Sequence, residues 1–240
     1  MPFTFSHPAL ILPVTYLPRK YYSLTGLIIG SLTPDFEYFI LMKIQSNYGH
    51  TIAGLFYLDL PLGILLAFIF HNLVRDSLYN NLPNIIKIRL ISFQDFNWNR
   101  FFIKNWVVVA TSIIIGAASH LLWDSFTHKF GYFVQSLPFL TSQIDLFGHL
   151  FPVYDILQHS STLIGGLVLC YCFFNLPVNV NNNTSIDFKY WGVLSLVTIT
   201  ILIIRFLTGL DAKITGQLIV TIISATLISL TVTPFLIRKK

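Results

Sequence analysis

The chain has 240 residues; 54% are hydrophobic and only 10% charged, with 15 Lys and Arg against 10 Asp and Glu for a formal charge of +5. Soluble domains carry about 25% charged residues, so this chain lacks the polar surface to cover a globule in water. Disordered tails, coiled coils, collagen-like repeats and nucleic-acid-binding arms are excluded. The expected fold class is all-α, a polytopic membrane helix bundle of about six to seven segments, forming one integral membrane domain over residues 1–240.

In chain order, Pro8 to Leu17 is short and carries Pro13. Tyr22 to Met42 is long enough to span but is interrupted by Thr33-Pro34-Asp35-Phe36-Glu37, and a break is expected near Thr33 because proline disfavours a helical residue before it. Four clear spans follow at Leu55 to Val74, Trp106 to Phe126, Ile156 to Leu176 and Tyr190 to Leu210, and a fifth runs from Ile214 to Ile237. Arg75 to Lys104 turns semi-polar; within it Ile85 to Ile91, interleaved with Lys87 and Arg89, reads as an amphipathic surface helix. Asn175 to Asn183 reads as a solvated loop. Cys170 and Cys172 share one apolar run and point to nearly opposite sides of a helix, so no disulfide or redox motif is expected. A cleavable secretory signal is not expected either, since no basic region precedes the first apolar run.

Lysine and arginine are retained on the cytoplasmic side of a membrane protein. Alternating the spans from Arg19 and Lys20 puts Arg75, Lys87, Arg89, Arg100, Lys104, Lys189, Arg238, Lys239 and Lys240 on the same side, eleven basic residues in all. Only four, Lys43, Lys129, Arg205 and Lys213, fall on the other. The C-terminus is therefore expected in the cytoplasm, and the Lys129 to Tyr154 segment outside.

Ionisable groups within a bilayer are costly, so each is a candidate site residue. Asp35, Glu37, His50, His120, Asp124, His128, His149, Asp155 and His159 all fall at the outer ends of spans or in outer loops, and His7 joins them if the first stretch dips into the membrane. His71 alone sits near the inner end, where it reads as snorkelling to the interface. His120 and Asp124 are four apart and share one helix side, a spacing that can chelate one divalent cation or form a buried hydrogen-bonded pair without it. Imidazole with carboxylate suits zinc in a site that keeps a water. Gly116, Ala117 and Ala118, one turn earlier, would let a neighbouring helix approach closely. Thr33, Pro34 and Asp35 also make a complete helix start, with cap, first-turn proline and first-turn acid.

The opening Met1-Pro2-Phe3-Thr4-Phe5-Ser6-His7-Pro8-Ala9 and the later Gly30-Ser31-Leu32-Thr33-Pro34-Asp35-Phe36-Glu37-Tyr38 resemble an uncharacterised, domain-of-unknown-function family of bacterial multi-helix membrane proteins. More distantly, His7, Pro34-Asp35-Phe36-Glu37, Gly49-His50-Thr51 and Ser119-His120-(x)3-Asp124-Ser125-Phe126-Thr127 look like the motifs of inner-membrane metal-dependent hydrolases of the LexA-regulated type. Their order is also similar to the helical zinc-dependent phospholipase C and nuclease group. That resemblance implies one metal on Asp35, His50, His120 and Asp124, with His7 serving an adjacent metal and His128 another. The chain departs from these patterns at Tyr38, where the hydrolases carry His, and at Leu163, which denies His159 a partner glutamate.

The expected function is a membrane-embedded metal-dependent hydrolase in the bacterial cytoplasmic membrane, using zinc or a similar divalent metal. Its substrate would be a phosphoester of a lipid or lipid-linked headgroup at the outer interface, with Glu37 or Asp155 carrying a proton. A pocket lined by the four ligands and His7 is expected there. The bilayer is the expected partner and nucleic acid is not. A divalent-cation or small-solute transporter is the first alternative, since carriers place broken helices around their sites. A haem protein is disfavoured by the carboxylates, and a non-catalytic scaffold with a decayed site stays open.

Overall fold

The computed structural model describes residues 3–179, 186–210 and 213–237. Five helices are long and apolar enough to cross a membrane: Leu55–Asn81, Trp98–Ser136, Val153–Phe174, Phe188–Leu207 and Thr215–Leu236. Each overlaps one of the five expected spans. The all-α reading holds, with two short strands added. The two N-terminal stretches are short and broken: Pro8–Ile11 runs into a 3-10 turn at Leu12–Tyr16, and Leu24–Gly30 is separated from Thr33–Leu41. The break falls at Ser31 and Leu32, where Thr33 Oγ1 donates to the Gly30 carbonyl at 2.8 Å. The basic C-terminal residues Arg238, Lys239 and Lys240, and residues 180–183 of the Asn-rich stretch, lie outside the described residues.

The described residues fall into two compact units. One comprises the chain up to Asp35, Tyr48–Ile64 and Asn105–Asn175; the other comprises Phe36–Asn47, Leu65–Lys104 and the described residues from Leu176 onward.

Glycines set the packing of the first unit. A Cβ on Gly30 would lie 2.2 Å from the Ile113 carbonyl oxygen, and one on Gly116 would lie 2.4 Å from that of Leu27. The Leu24–Gly30 helix therefore lies backbone to backbone on the Trp98–Thr127 helix, through the small-residue contact that brings membrane helices together. Gly26, one turn before Gly30, faces the Val109 carbonyl in the same way. Ser23 caps the short helix by accepting from the Gly26 amide, and its own amide donates to Ser112 Oγ at 2.8 Å.

The N-terminal 3-10 turn Thr4–Ser6 is pinned to the middle of the Val153–Phe174 helix. The Phe3 amide donates to Thr162 Oγ1 at 3.1 Å, and Ser6 Oγ donates to the Thr162 carbonyl at 3.0 Å. Before that helix, strands Gln143–Leu146 and His149–Pro152 pair antiparallel across a two-residue turn. Phe147 (φ +59°) and Gly148 (φ +81°) are both left-handed, the requirement of the hairpin turn whose twist matches its strands. Asp145 Oδ1 accepts from the Gly148 amide at 2.8 Å.

In the second unit the Phe188–Leu207 and Thr215–Leu236 helices pack on each other, joined by a hydrogen bond from Thr198 Oγ1 to Ser229 Oγ at 2.9 Å. Two readings are corrected here. His71 does not snorkel to the interface: it is buried, stacks on Trp98 with ring centroids 4.8 Å apart, and has its Nδ1 3.3 Å from Arg75 Nη1. The Asn84–Leu90 helix forms as expected, yet Lys87 is buried within it. Its ammonium turns back to the Asn80 carbonyl at 2.7 Å, while Arg89 is half-buried and donates to the Ile85 carbonyl at 2.8 Å.

Candidate metal centre

Four segments of the first unit deliver side chains to one place. The turn at Thr4–Ser6 ends in His7; the first turn of Thr33–Leu41 presents Asp35; the loop before Leu55 presents His50; the Trp98–Thr127 helix presents His120 and Asp124. His50 reaches Asp35 because Gly49 carries no side chain: a Cβ there would lie 2.6 Å from the Pro34 carbonyl oxygen. Asp35, though in a first helical turn as a capping acid would be, turns its carboxylate to the cluster and accepts from Thr4 Oγ1 through Oδ2.

The donor separations are closely matched. His50 Nε2 lies 3.4 Å from Asp35 Oδ1 and 3.5 Å from Asp124 Oδ2; His120 Nε2 lies 3.6 Å and 3.3 Å from the same two oxygens. A tetrahedron with zinc-like arms of about 2.0–2.2 Å has edges of about 3.3–3.6 Å. The other Asp124 oxygen, Oδ1, is flanked by His7 Nε2 at 3.6 Å and His128 Nδ1 at 3.4 Å. The His7 ring stacks on that of His120 with centroids 3.7 Å apart.

Burial gives these contacts their meaning. Asp35, His7, His120 and Asp124 are all buried, His120 completely. His7 Nδ1 and Nε2, Asp35 Oδ1, His120 Nε2 and Asp124 Oδ1 are nevertheless without a hydrogen-bond partner. A buried polar atom left unpaired costs about 1–3 kcal/mol, so five in one cluster call for further partners. Two overlapping triplets, His7, His120 and Asp124, and Asp35, His50 and His120, have their ligand atoms close enough to hold a cation. His120 Nδ1–H donates to the Ser31 carbonyl oxygen at 2.7 Å, which leaves the Nε2 lone pair available to a metal. Burial alone would lower the pKa of His50, but the Asp124 and Asp35 carboxylates outweigh it and raise it to about 9.

The six residues read from the sequence as ligands thus lie together in one unit. The two candidate proton carriers are held by other partners. Asp155 stands in the first turn of Val153–Phe174 and pairs with His159 at 3.7 Å, a histidine whose side chain is 78% exposed. Glu37 accepts from Ser46 Oγ and from the Asn47 amide, both at 2.9 Å. His149 sits in the hairpin, exposed. A cavity of about 320 Å³ adjoins the cluster, but of the six residues it is lined only by His7, not by all four expected ligands. Thr4 and Ser31, which orient Asp35 and His120, were missed; nothing in the spacing marks them, although Gly26-x3-Gly30 is the sequence signal for the helix contact that delivers Ser31.

A model of a domain of unknown function, DUF4184, matches residues 1–235. No curated protein and no solved structure matches the chain.

Proposed function

We propose that the chain, which belongs to the DUF4184 family, is a membrane-embedded metal-dependent hydrolase whose site is the cluster around Asp124. The observation that carries this reading is the set of buried atoms on Asp35, His120, Asp124 and His7 that lack a hydrogen-bond partner, within two overlapping triplets whose ligand atoms are close enough to hold a cation. Asp35, His50, His120 and Asp124 would hold the ion, zinc by its ligand types. His7 and His128, on the other Asp124 oxygen, would serve a second ion. A zinc-type ion held there supplies Lewis acidity and lowers the pKa of a bound water to about 7.

The chain's own residues do the rest. The Ser31 carbonyl and the Thr4 hydroxyl fix His120 and Asp35, so that ligand atoms do not reorganise during turnover. His128, less buried than His7 and 3.4 Å from Asp124 Oδ1, would be the second-ion ligand nearer solvent. Glu37 and Asp155 have no observation to support an acid–base role, since their carboxylates already serve Ser46, Asn47 and His159. The orientation from the basic residues puts this cluster at the outer face of the bacterial cytoplasmic membrane, with the short N-terminal helices as the sixth and seventh membrane segments. A phosphoester in a lipid headgroup fits that position.

Transport is the weaker reading. Next to the cluster, Ile113, Ile114 and Ile115 on the His120 helix offer no polar side chain to continue a path. The test is hydrolysis by the purified protein of a panel of lipid phosphoesters, with and without a chelator. Release of phosphate or headgroup that chelation stops, zinc restores and Asp124→Asn abolishes would support a hydrolase. Metal uptake into vesicles without any such release would replace it with a transporter.

A further inference from the structure

We propose that the cavity beside His7 is a binding site for one acyl chain of a phosphate-bearing bilayer lipid. Its walls come from the N-terminal turn, Trp123 and the Val153–Phe174 helix, and it runs along that helix from Leu157 to Val168. Eleven residue steps at about 1.5 Å each make it roughly 16 Å long. Its volume of about 320 Å³ lies at the lower end of the range for small-molecule sites.

Three observations choose the occupant. First, the cavity is cut into a helix of membrane-spanning length, so hydrocarbon is the medium that meets it. Second, the hydroxyls in its walls have no proton left to offer: Ser6 donates to the Thr162 carbonyl, Ser160 to that of Ile156 and Ser161 to that of Gln158. With those donors satisfied and Leu10, Leu157, Ile164 and Val168 around them, the walls away from His7 suit methylenes. Third, His7 lines the cavity, and its Nε2 is 3.6 Å from Asp124 while its two ring nitrogens have no hydrogen-bond partner. A chain lying in the groove therefore brings the polar end of its own molecule to the cluster. This use of the lipid rests on the hydrolase reading; the binding itself does not.

The test uses the full-length protein in detergent and an alkyl phosphate with bromines midway along its chain, read through tryptophan fluorescence. The signal specific to Trp123 is the difference between wild type and Trp123→Phe. We expect quenching that saturates at one equivalent per chain, persists in Asp124→Asn and under chelation, and is unchanged within twofold by Ser161→Ala. Ser161→Phe and Ile164→Phe, which fill the groove from two positions without adding a fluorophore that competes with Trp123, should each weaken it at least tenfold. Quenching that rises without saturation, or that both filling substitutions leave intact, would overturn the proposal. So would saturable contact that depends on protein concentration, since a second copy of the chain would then be the occupant. Saturable binding with no hydrolysis of any lipid phosphoester would leave the groove assigned and overturn the hydrolase instead.

Discussion

His120 Nδ1 sits 2.7 Å from the carbonyl oxygen of Ser31, a residue 89 positions earlier in the chain. The contact exists because Gly30 and Gly116 let two helices meet without side chains between them. It converts a packing motif into a ligand tautomer: the carbonyl accepts from Nδ1–H, and Nε2 faces the carboxylates of Asp35 and Asp124.

That coupling predicts a consequence of a change far from any ligand. Gly30→Ala would place a methyl 2.2 Å from the Ile113 carbonyl oxygen, forcing the helices apart at a cost of about 1–3 kcal/mol. Metal affinity should fall with stability, because the Ser31 carbonyl moves with the helix. Gly166→Ala, where nothing lies within 4 Å, should be neutral or slightly stabilising. Thermal unfolding and zinc titration of the two variants check both halves.

The hydroxyl of Thr4 makes a smaller, cleaner test. It donates to Asp35 Oδ2, the oxygen turned away from His50 and His120. Thr4→Val keeps the volume and removes the donor. Partners of this kind are worth about 10–100-fold in metal affinity, and a loss in that range is expected by competition with a chromophoric chelator, with helicity by circular dichroism unchanged.

Acidity should act through His50. Its pKa in the metal-free fold, about 9, stands above the ordinary 6.5. Its protonated form therefore stabilises that fold in full below about pH 6.5, and the contribution is lost as the pH climbs through about 9. A metal ion needs the unprotonated ring. Zinc binding at pH 7 should release the His50 proton, and apparent affinity should rise about tenfold per pH unit until the pH reaches about 9. Calorimetry in buffers of different ionisation enthalpy measures that proton, and it should disappear in His50→Gln.

Topology is tested by labelling. The asymmetry of eleven basic residues to four predicts that a cysteine placed between Lys129 and Tyr154 reacts with an impermeant reagent from outside the cell. One placed between Arg75 and Lys104 should react only after the membrane is opened. The reverse pattern would move the cluster to the cytoplasmic face without dispersing it.

How much of this could be read from the sequence depended on the kind of signal. The five long helices were legible because a run of about 20 apolar residues has few alternatives. The cluster was legible because His120 and Asp124 stand at helical spacing and the remaining candidates are scarce polar groups in an apolar chain. The break before Thr33 followed from Pro34, and the close helix contact from Gly116. What was hidden was tertiary: that Lys87 would turn inward to the Asn80 carbonyl, that His71 would stack on Trp98, and that Asp155 would pair outward with His159. The hairpin was hidden for another reason. Its turn places Phe147 in the left-handed region, a conformation that asparagine or aspartate announces and phenylalanine does not.

The central claim is that the unpaired donors on Asp35, His120 and Asp124 belong to a metal ion, and elemental analysis of the purified protein tests it most directly. We predict at least one equivalent of zinc or a similar divalent metal per chain, retained through size-exclusion chromatography. Asp35→Asn and Asp124→Asn should each lose it while remaining helical and monodisperse. A wild-type protein that carries no metal and binds none when zinc is added, yet is folded, would contradict the account and leave His120 and Asp124 as a buried hydrogen-bonded pair.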